Sequence, residues 1–215
     1  MLRQVVEAGD RYFVRQRKDW AEILVDFETK NQYAILDQDQ SEVGTISEVS
    51  SGLGGFLKRN FFGSHRALDV RVHDAEGRPL LRLERSFFFL FSSLSVEAEG
   101  GVELGRVERR FGLIHKKYDL LDVQGRCFAR VKSPRWRLWT FPVRHSMGGG
   151  GASISKRWGG ALREVFSDAD TFRVAIEGAG WSGEERWVLL AAAISIDFDF
   201  FENNQGSGGL LRFGD

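Results

Sequence analysis

The sequence predicts a mainly β protein, in which an antiparallel sandwich or barrel accompanies one C-terminal helix. Two observations lead to this prediction: a strand–turn–strand unit recurs through the middle of the chain, and the most apolar segment lies near the C-terminus and is short. The 215 residues are 42% apolar and 28% charged, which suits a globular domain with a sizeable core. Thirty basic and thirty acidic residues give a net charge of zero, which disfavours a nucleic-acid-binding protein.

The recurring unit is an alternating strand, a short Asp/Gly turn and a second strand. It occurs as "YAILDQDQSEVGTIS" (33–47), "LDVRVHDAEGRPLLRLE" (68–84) and "YDLLDVQGRCFARVK" (118–132). In the second copy Leu68 and Val70 alternate with Asp69 and Arg71, the period of a half-buried strand. The turns supply Asp for side-chain bonds to the backbone and Gly for positive φ. Many short strands at near-regular spacing are typical of a sandwich or a barrel.

The apolar C-terminal segment is predicted to be a helix buried in protein. Ser182 and Glu185 have the spacing of a capping box. Residues 187–196 carry no charge, but ten residues rise only about 15 Å, roughly half of a bilayer core. Asp197 and Asp199 follow and would be costly in lipid. A barrel closed around this helix is therefore favoured over a transmembrane span. The helix residues expected in the core are Trp187, Leu190, Ala191, Ile194 and Phe198.

The domain organisation predicted is a lead-in over residues 1–13, a single domain over 14–202 and a loose Gly-rich tail over 203–215. The N-terminal residues are charged throughout and contain no apolar stretch of the kind found in a signal peptide. Cys127 is the single cysteine, so no intramolecular disulfide can form. A cytoplasmic protein is expected on these grounds.

Four segments of the chain resemble the phospholipid scramblase family. They are "FETKNQYAILD" (27–37), "LERSFFFLFSS" (83–93), "ISKRWGGALREVFSDADTFRVAIEG" (154–178) and "LLAAAISIDFDFFE" (189–202). The family is similar in fold to tubby C-terminal and LURP-one-related proteins, which implies a closed antiparallel barrel of about twelve strands around a buried hydrophobic C-terminal helix. The resemblance implies a protein that binds phospholipid membranes and is linked to calcium-dependent movement of phospholipids between leaflets. The alternative is a lipid- or phosphoinositide-binding or regulatory module without transport activity.

Phenylalanines replace cysteines that can be acylated in animal members of that family, as expected of a bacterial-type member without the cysteine clusters. Phe61 and Phe62 stand where a cysteine pair would be. We expect this segment to contact the membrane at the inner face of the plasma membrane, since aromatic and basic side chains together favour an interface. The candidate contact residues are Phe56, Lys58, Arg59, Phe61, Phe62 and Arg66. The phenylalanines of 87–91 fit membrane insertion and a buried strand equally well.

Calcium is the only cofactor that the resemblance implies, through a loop that begins at "DAD". Asp168 and Asp170 supply positions 1 and 3, but Phe172, Arg173 and Ala179 occupy positions 5, 6 and 12, where oxygen ligands and a glycine are needed. A turn that leads into a strand is therefore favoured over a calcium site, and any calcium binding should be weak.

The segment "KSPRWRLWTFPVRH" (132–145) is a further candidate for anionic headgroups, through Arg135 and Arg137. Its alternative interpretation is a strand with a basic outer face and inner aromatic residues. No nucleophile motif, metal-ligand spacing or pair of catalytic carboxylates is recognisable, so the protein is predicted not to be an enzyme. The oligomeric state is not predicted.

Overall fold

The computed structural model describes residues 1–17, 32–49, 67–86, 92–137, 139–148, 150–157 and 171–201. These residues form twelve strands and two helices. The strands are β1 (Arg11–Gln16), β2 (Gln32–Leu36), β3 (Glu42–Glu48), β4 (Leu68–Asp74), β5 (Pro79–Arg85), β6 (Ser92–Ala98), β7 (Val102–Arg110), β8 (His115–Leu121), β9 (Cys127–Pro134), β10 (Thr140–His145), β11 (Gly150–Arg157) and β12 (Thr171–Gly178). The helices are α1 (Leu2–Ala8) and α2 (Gly183–Phe200).

The twelve strands form one closed antiparallel barrel, which confirms the predicted fold class and excludes a sandwich. Each strand pairs with its neighbours in sequence, and β1 closes the barrel by pairing with both β2 and β12. Val14 of β1, for example, lies opposite Ile35 on one side and Phe172 on the other. Closure leaves no strand edge unpaired, which removes the usual site of edge-to-edge aggregation.

The barrel has two unlike ends. The connections β2–β3, β4–β5, β6–β7, β8–β9 and β10–β11 are short turns, and we call their end of the barrel the turn end. We call the opposite end, which carries the β7–β8 and β9–β10 connections, the loop end. The predicted Asp/Gly turns occur at the turn end: Asp74 Oδ1 accepts the N–H groups of Glu76 and Arg78, and Gly77 has φ of +78°. Asp122 and Gly125 repeat this arrangement.

Helix α2 runs along the barrel interior from the turn end to the loop end. The predicted capping box is present: Ser182 Oγ accepts the Glu185 N–H, and the Glu185 carboxylate accepts the Ser182 N–H. Beyond this cap every residue from Arg186 to Asp199 is buried, including Trp187, Leu190, Ala191, Ile194 and Phe198. Gly105 of β7 permits the close approach of the helix, because a Cβ there would lie 3.0 Å from Val188.

Residues 1–13, which the sequence set apart as a lead-in, contribute α1 and the start of β1. Leu2 and Val6 of α1 and Tyr12 of β1 are fully buried in the barrel core. Helix α1 also contacts the start of α2, since Trp187 Nε1 donates a hydrogen bond to Glu7 Oε1 at 2.7 Å. The N-terminal residues therefore close the turn end of the same core.

Candidate functional site

The C-terminal end of α2 brings two buried carboxylates, Asp197 and Asp199, to the interior of the loop end. The Tyr33 hydroxyl donates to Asp197 Oδ2 at 2.6 Å, and the Tyr118 hydroxyl donates to Asp199 Oδ2 at 2.7 Å. Arg85 Nη1 donates to Asp199 Oδ1 at 2.9 Å. Burial, and then the charge of Asp199, raises the pKa of Tyr118 well above its ordinary value, so the phenol keeps its proton. The network compensates charges that would be costly to bury alone.

An aromatic cluster with two lysines lies at the mouth of the loop end. Phe200 stacks on Phe141 of β10, with ring centroids 6.1 Å apart. Lys116 Nζ lies 4.5 Å from the Phe200 ring centroid, and Lys156 Nζ lies 3.9 Å from the centroid of Phe201. Both lysines have the same parity as the inward-facing residues of their strands, so their ammonium groups lie at the inner face of the mouth. Cation–π contacts of this kind are favourable.

Two neighbouring loops at this end expose large apolar side chains. Phe111 is 63% exposed and Leu113 78% in the β7–β8 loop, and Trp136 is 73% exposed in the β9–β10 loop. A backbone hydrogen bond joins the two loops: the Arg135 N–H donates to the Ile114 carbonyl at 2.9 Å. Ile114 is itself exposed. We call these residues, together with the half-exposed Trp139, the apolar rim. A contiguous exposed apolar surface of this kind marks an interaction site.

The chain around the apolar rim is basic. Residues 109–118 and 123–163 contain no Asp or Glu, although the whole chain is neutral. Arg135, Arg137 and Lys117 are exposed beside the rim, and Lys116 is partly buried next to it. Aromatic and aliphatic side chains flanked by Lys and Arg are the composition of a surface that enters a membrane interface.

The turn end offers a different surface. A cleft of about 230 Å³ lies between α1, the start of α2 and the barrel, and Glu7, Glu184, Arg3 and Trp187 contribute to its lining. The hydrogen bonds that the Glu184 carboxylate accepts from its own N–H and from Ser182 lower its pKa, so the carboxylate is charged at neutral pH. Such a cleft does not favour an anionic ligand.

The structure places two of the predicted membrane-contact residues, Arg135 and Arg137, beside the apolar rim. The other candidates, Phe56, Lys58, Arg59, Phe61, Phe62 and Arg66, lie outside the described residues, as do the phenylalanines of 87–91. The calcium candidates Asp168 and Asp170 also lie outside them. The described part of the chain contains no group of three or more His, Cys, Asp or Glu side chains that could hold a metal ion.

The strands bear on two of the predicted sites. Strand β12 spans Thr171–Gly178, so positions 4 to 11 of the calcium-loop pattern lie in a strand, while the turn expected before it lies outside the described residues. The interpretation of 132–145 as one strand with inner aromatic residues was wrong. Strand β9 ends at Pro134, a turn closes through the Arg137 N–H and the Pro134 carbonyl at 3.0 Å, and Trp136 is exposed at its tip. Proline has no N–H to continue the ladder.

Sequence reasoning missed the β7–β8 half of the apolar rim. The signal was present in "RFGLIHKK" (110–117), where an apolar run without strand alternation stands between basic residues. It also missed Lys116 and the buried partners of Asp197 and Asp199. Tyr33, Arg85 and Tyr118 are 81 to 164 residues away from their partner aspartates along the chain, so no local pattern pairs them.

The closed twelve-stranded barrel around a buried C-terminal helix is a tubby-like fold. A protein of Arabidopsis thaliana with an X-ray structure matches 89% of this chain and 91% of its own with a TM-score of 0.50 and 14% identity. The Scramblase family model matches residues 2–203. The chain therefore belongs to the Scramblase family.

Relatives in this family share a quarter to a third of their residues with the chain. Altered inheritance rate of mitochondria protein 25 of Saccharomyces cerevisiae is 24% identical over 94% of this chain and 73% of its own length. A phospholipid scramblase family protein of Schizosaccharomyces pombe is 25% identical, and phospholipid scramblase 1 of Mus musculus is 30% identical. The chain spans 62% and 61% of the lengths of these last two proteins.

None of the helices in the described part of the chain combines the length and the apolar character that a membrane span requires. Helix α2 is the most apolar helix, and the barrel surrounds it on all sides.

Proposed function

We propose that this protein is a scramblase-like membrane-associated protein that docks peripherally on phospholipid membranes through the loop end of its barrel. The observation that carries the proposal is the apolar rim, in which Phe111, Leu113, Ile114 and Trp136 stand exposed beside Arg135 and Arg137. Leaving such side chains in water is unfavourable by about 25 cal/mol per Å² of apolar surface, and insertion into the interface recovers that energy. The relatives of this chain include phospholipid scramblases of mouse and human, which supports a phospholipid partner.

The docked protein is proposed to promote bidirectional phospholipid movement between leaflets from the cytoplasmic side of the plasma membrane. Membership of the Scramblase family supports this activity. The candidates outside the described residues, Phe56, Lys58, Arg59, Phe61, Phe62 and Arg66, are proposed to extend the same membrane-contact surface. Calcium through Asp168 and Asp170 is proposed to be dispensable, because positions 5, 6 and 12 of that pattern are unsuitable.

A second candidate function is lipid or phosphoinositide binding without transport. The filled interior of the barrel favours it: α2 occupies the lumen with buried side chains from Arg186 to Asp199, which leaves no lipid path through the described part of the barrel. Movement of lipids would then require perturbation of the bilayer from the surface. Neither candidate function requires the protein to act as an enzyme.

Flotation with liposomes tests the docking, and a reconstituted lipid-movement assay separates the two candidates. We expect flotation with neutral and anionic vesicles that survives both a calcium chelator and high salt, because apolar insertion is not screened. Phe61→Ser with Phe62→Ser should weaken flotation without lowering thermal stability. Absence of flotation in every condition would contradict the proposal. Flotation without lipid movement, at a protein density that saturates the vesicles, would select the binding module.

A further inference from the structure

Lys116 is a cation at the inner edge of the apolar rim, and no carboxylate among the described residues balances its charge. Its strand places it on the same face as Tyr118 and Leu120, which are buried in the barrel. Its Nζ lies 4.5 Å and 4.9 Å from the ring centroids of Phe200 and Phe141. Among the described residues, Lys116 forms no ion pair with a carboxylate, unlike Arg85 and Arg109 on neighbouring inner positions, whose guanidinium groups contact Asp199.

Arg135 lies beside Lys116 and adds a second positive charge. The Arg135 guanidinium is exposed and uses Nη2 to donate to the Gly112 carbonyl at 3.2 Å, so it spans the two loops of the apolar rim. A guanidinium has five N–H donors, so most remain for another acceptor. Burial, and then the charge of Arg135, lowers the pKa of Lys116, which means that the ammonium form is poorly compensated here. An anion between the two groups would remove that penalty.

We infer that Lys116 and Arg135 together bind the phosphate of a single phospholipid at the edge of the barrel, with the apolar rim entering the acyl region beside it. The inference rests on the proposed docking of the loop end, and it deepens that function by naming the headgroup atoms that are recognised. A phosphodiester carries one negative charge on two free oxygens, which matches one ammonium and one guanidinium. The partly buried Phe200 ring forms an apolar wall on which the lipid glycerol region packs.

The position of the site explains why a specific lipid contact is expected in a protein without net charge. A membrane that approached the turn end would meet Glu7 and Glu184, which repel phosphate. A membrane at the loop end meets residues 109–118 and 131–137, which contain no Asp or Glu. The phosphate layer of a bilayer lies just outside its acyl region, so the insertion of Leu113 and Trp136 would bring phosphates to the depth of Arg135 and Lys116.

The inference is tested with two kinds of uncharged vesicle, one whose lipid headgroup contains phosphate and one whose headgroup does not. Phosphatidylcholine and digalactosyldiacylglycerol both form uncharged bilayers, but only the first contains phosphate. We expect the wild-type protein to bind phosphatidylcholine vesicles at least about fivefold more tightly, the factor typical of one basic residue at a lipid surface. Lys116→Gln should lose this preference, and Lys116→Arg should restore it. Arg11→Gln is the control, since it removes one positive charge from an exposed position at the turn end of the barrel and should keep the preference.

The outcomes separate the inference from the docking on which it rests. Equal binding of the wild-type protein to both vesicles, or a preference that survives in Lys116→Gln, would overturn the phosphate site and leave the docking intact. Binding to neither vesicle would overturn both. If Lys116→Gln lowers the melting temperature, the exposed Arg135→Gln provides the same test, and it should also lose the phosphate preference.

Discussion

The two ends of this barrel are formed by the same twelve strands but place their charged and apolar side chains differently. At the turn end, carboxylates are bound to backbone N–H groups or to arginines: Asp74 and Asp122 close their turns, and Ser182 with Glu185 caps α2. At the loop end the carboxylates of Asp197 and Asp199 are buried at the C-terminus of α2, and the surface carries the exposed side chains of Leu113 and Trp136. The turn end is thus built for local stability, and the loop end combines a stable interior with an apolar exterior.

The difference shows that an exposed apolar surface can be maintained when the charges beneath it are fixed. Asp199 contacts Arg85 and Tyr118 on two different strands and so holds the mouth of the barrel together. Tyr118 lies in β8, which follows directly on the β7–β8 loop of the apolar rim, so the buried network is connected to the strand beside that loop. This division leads to predictions in which substitutions at one end change stability and substitutions at the other change membrane binding.

The largest effect is expected from Asp199→Ala. It removes the buried carboxylate that Arg85 and Arg109 both contact, so the free energy of unfolding should fall by about 3–5 kcal/mol. Glu7→Ala at the turn end removes the acceptor of Trp187 Nε1 and an exposed ion pair with Arg3, and should cost about 1 kcal/mol. Urea denaturation of both variants measures the difference. Equal losses would contradict the description of the loop-end interior as the more strongly coupled of the two ends.

The second effect concerns binding alone. The double variant Leu113→Ser, Trp136→Ser should weaken vesicle binding at least about tenfold, since each side chain contributes about 1.5–3 kcal/mol when it leaves water. The matched variant Val123→Ser, Met147→Ser removes exposed apolar side chains from the turn end and should bind as the wild type does. Titration with vesicles gives both affinities, and melting curves should be unchanged. A loss of binding in the turn-end variant would contradict the assignment of membrane binding to the loop end.

A smaller effect is expected from Ser182→Ala, which removes the side-chain oxygen that accepts the Glu185 N–H. The free energy of unfolding should fall by about 1 kcal/mol, the usual contribution of a helix N-cap. Vesicle binding should not change, because the cap lies at the opposite end from the apolar rim. Denaturation and flotation of the same preparation provide the measurement; weaker flotation would mean that α2 links the two ends.

The smallest effect is an acid sensitivity of the turn end. Although burial opposes it, hydrogen bonds from the Arg78 and Glu76 N–H groups and the Arg78 side chain hold the pKa of Asp74 below its ordinary value, and Asp122 is held in the same way by Arg126 and Gln124. A carboxyl whose folded pKa is depressed stabilises the fold above its unfolded pKa, and that contribution is lost as pH falls.

The melting temperature of the wild-type protein should therefore decline as the pH falls below about 4, the unfolded pKa of aspartate. Asp74→Asn with Asp122→Asn should flatten this decline while lowering the melting temperature at neutral pH. A decline of the same steepness in this double variant would show that other carboxyl groups govern the acid response.

Much of the fold follows from local patterns, and most of the site does not. The alternation of apolar and polar residues in 68–74 indicates which side chains face inward, and Asp followed by Gly indicates the turns. Both features can therefore be predicted without the structure. The capping box and the charge-free length of 187–196 likewise predict the buried helix. These signals depend on residues close together in sequence.

The site depends on residues that only closure of the barrel brings together. The β7–β8 and β9–β10 loops meet because β8 pairs with both β7 and β9, so Ile114 lies beside Arg135. Lys116 and Phe200 are 84 positions apart and become neighbours only when α2 fills the lumen. Of the predicted contact residues, Arg135 and Arg137 could be found from their local composition, whereas the role of Lys116 required its three-dimensional surroundings.

The central claim is that the loop end meets the membrane, and an environment-sensitive fluorophore at each end tests it most directly. Cys127→Ser removes the single native thiol, and Leu113→Cys or Met147→Cys then provides one labelling position at the loop end or the turn end. On addition of phosphatidylcholine vesicles, we predict a blue shift and a rise in intensity for the label at position 113 and no change at position 147. A shift at position 147 alone, or equal shifts at both positions, would contradict the account.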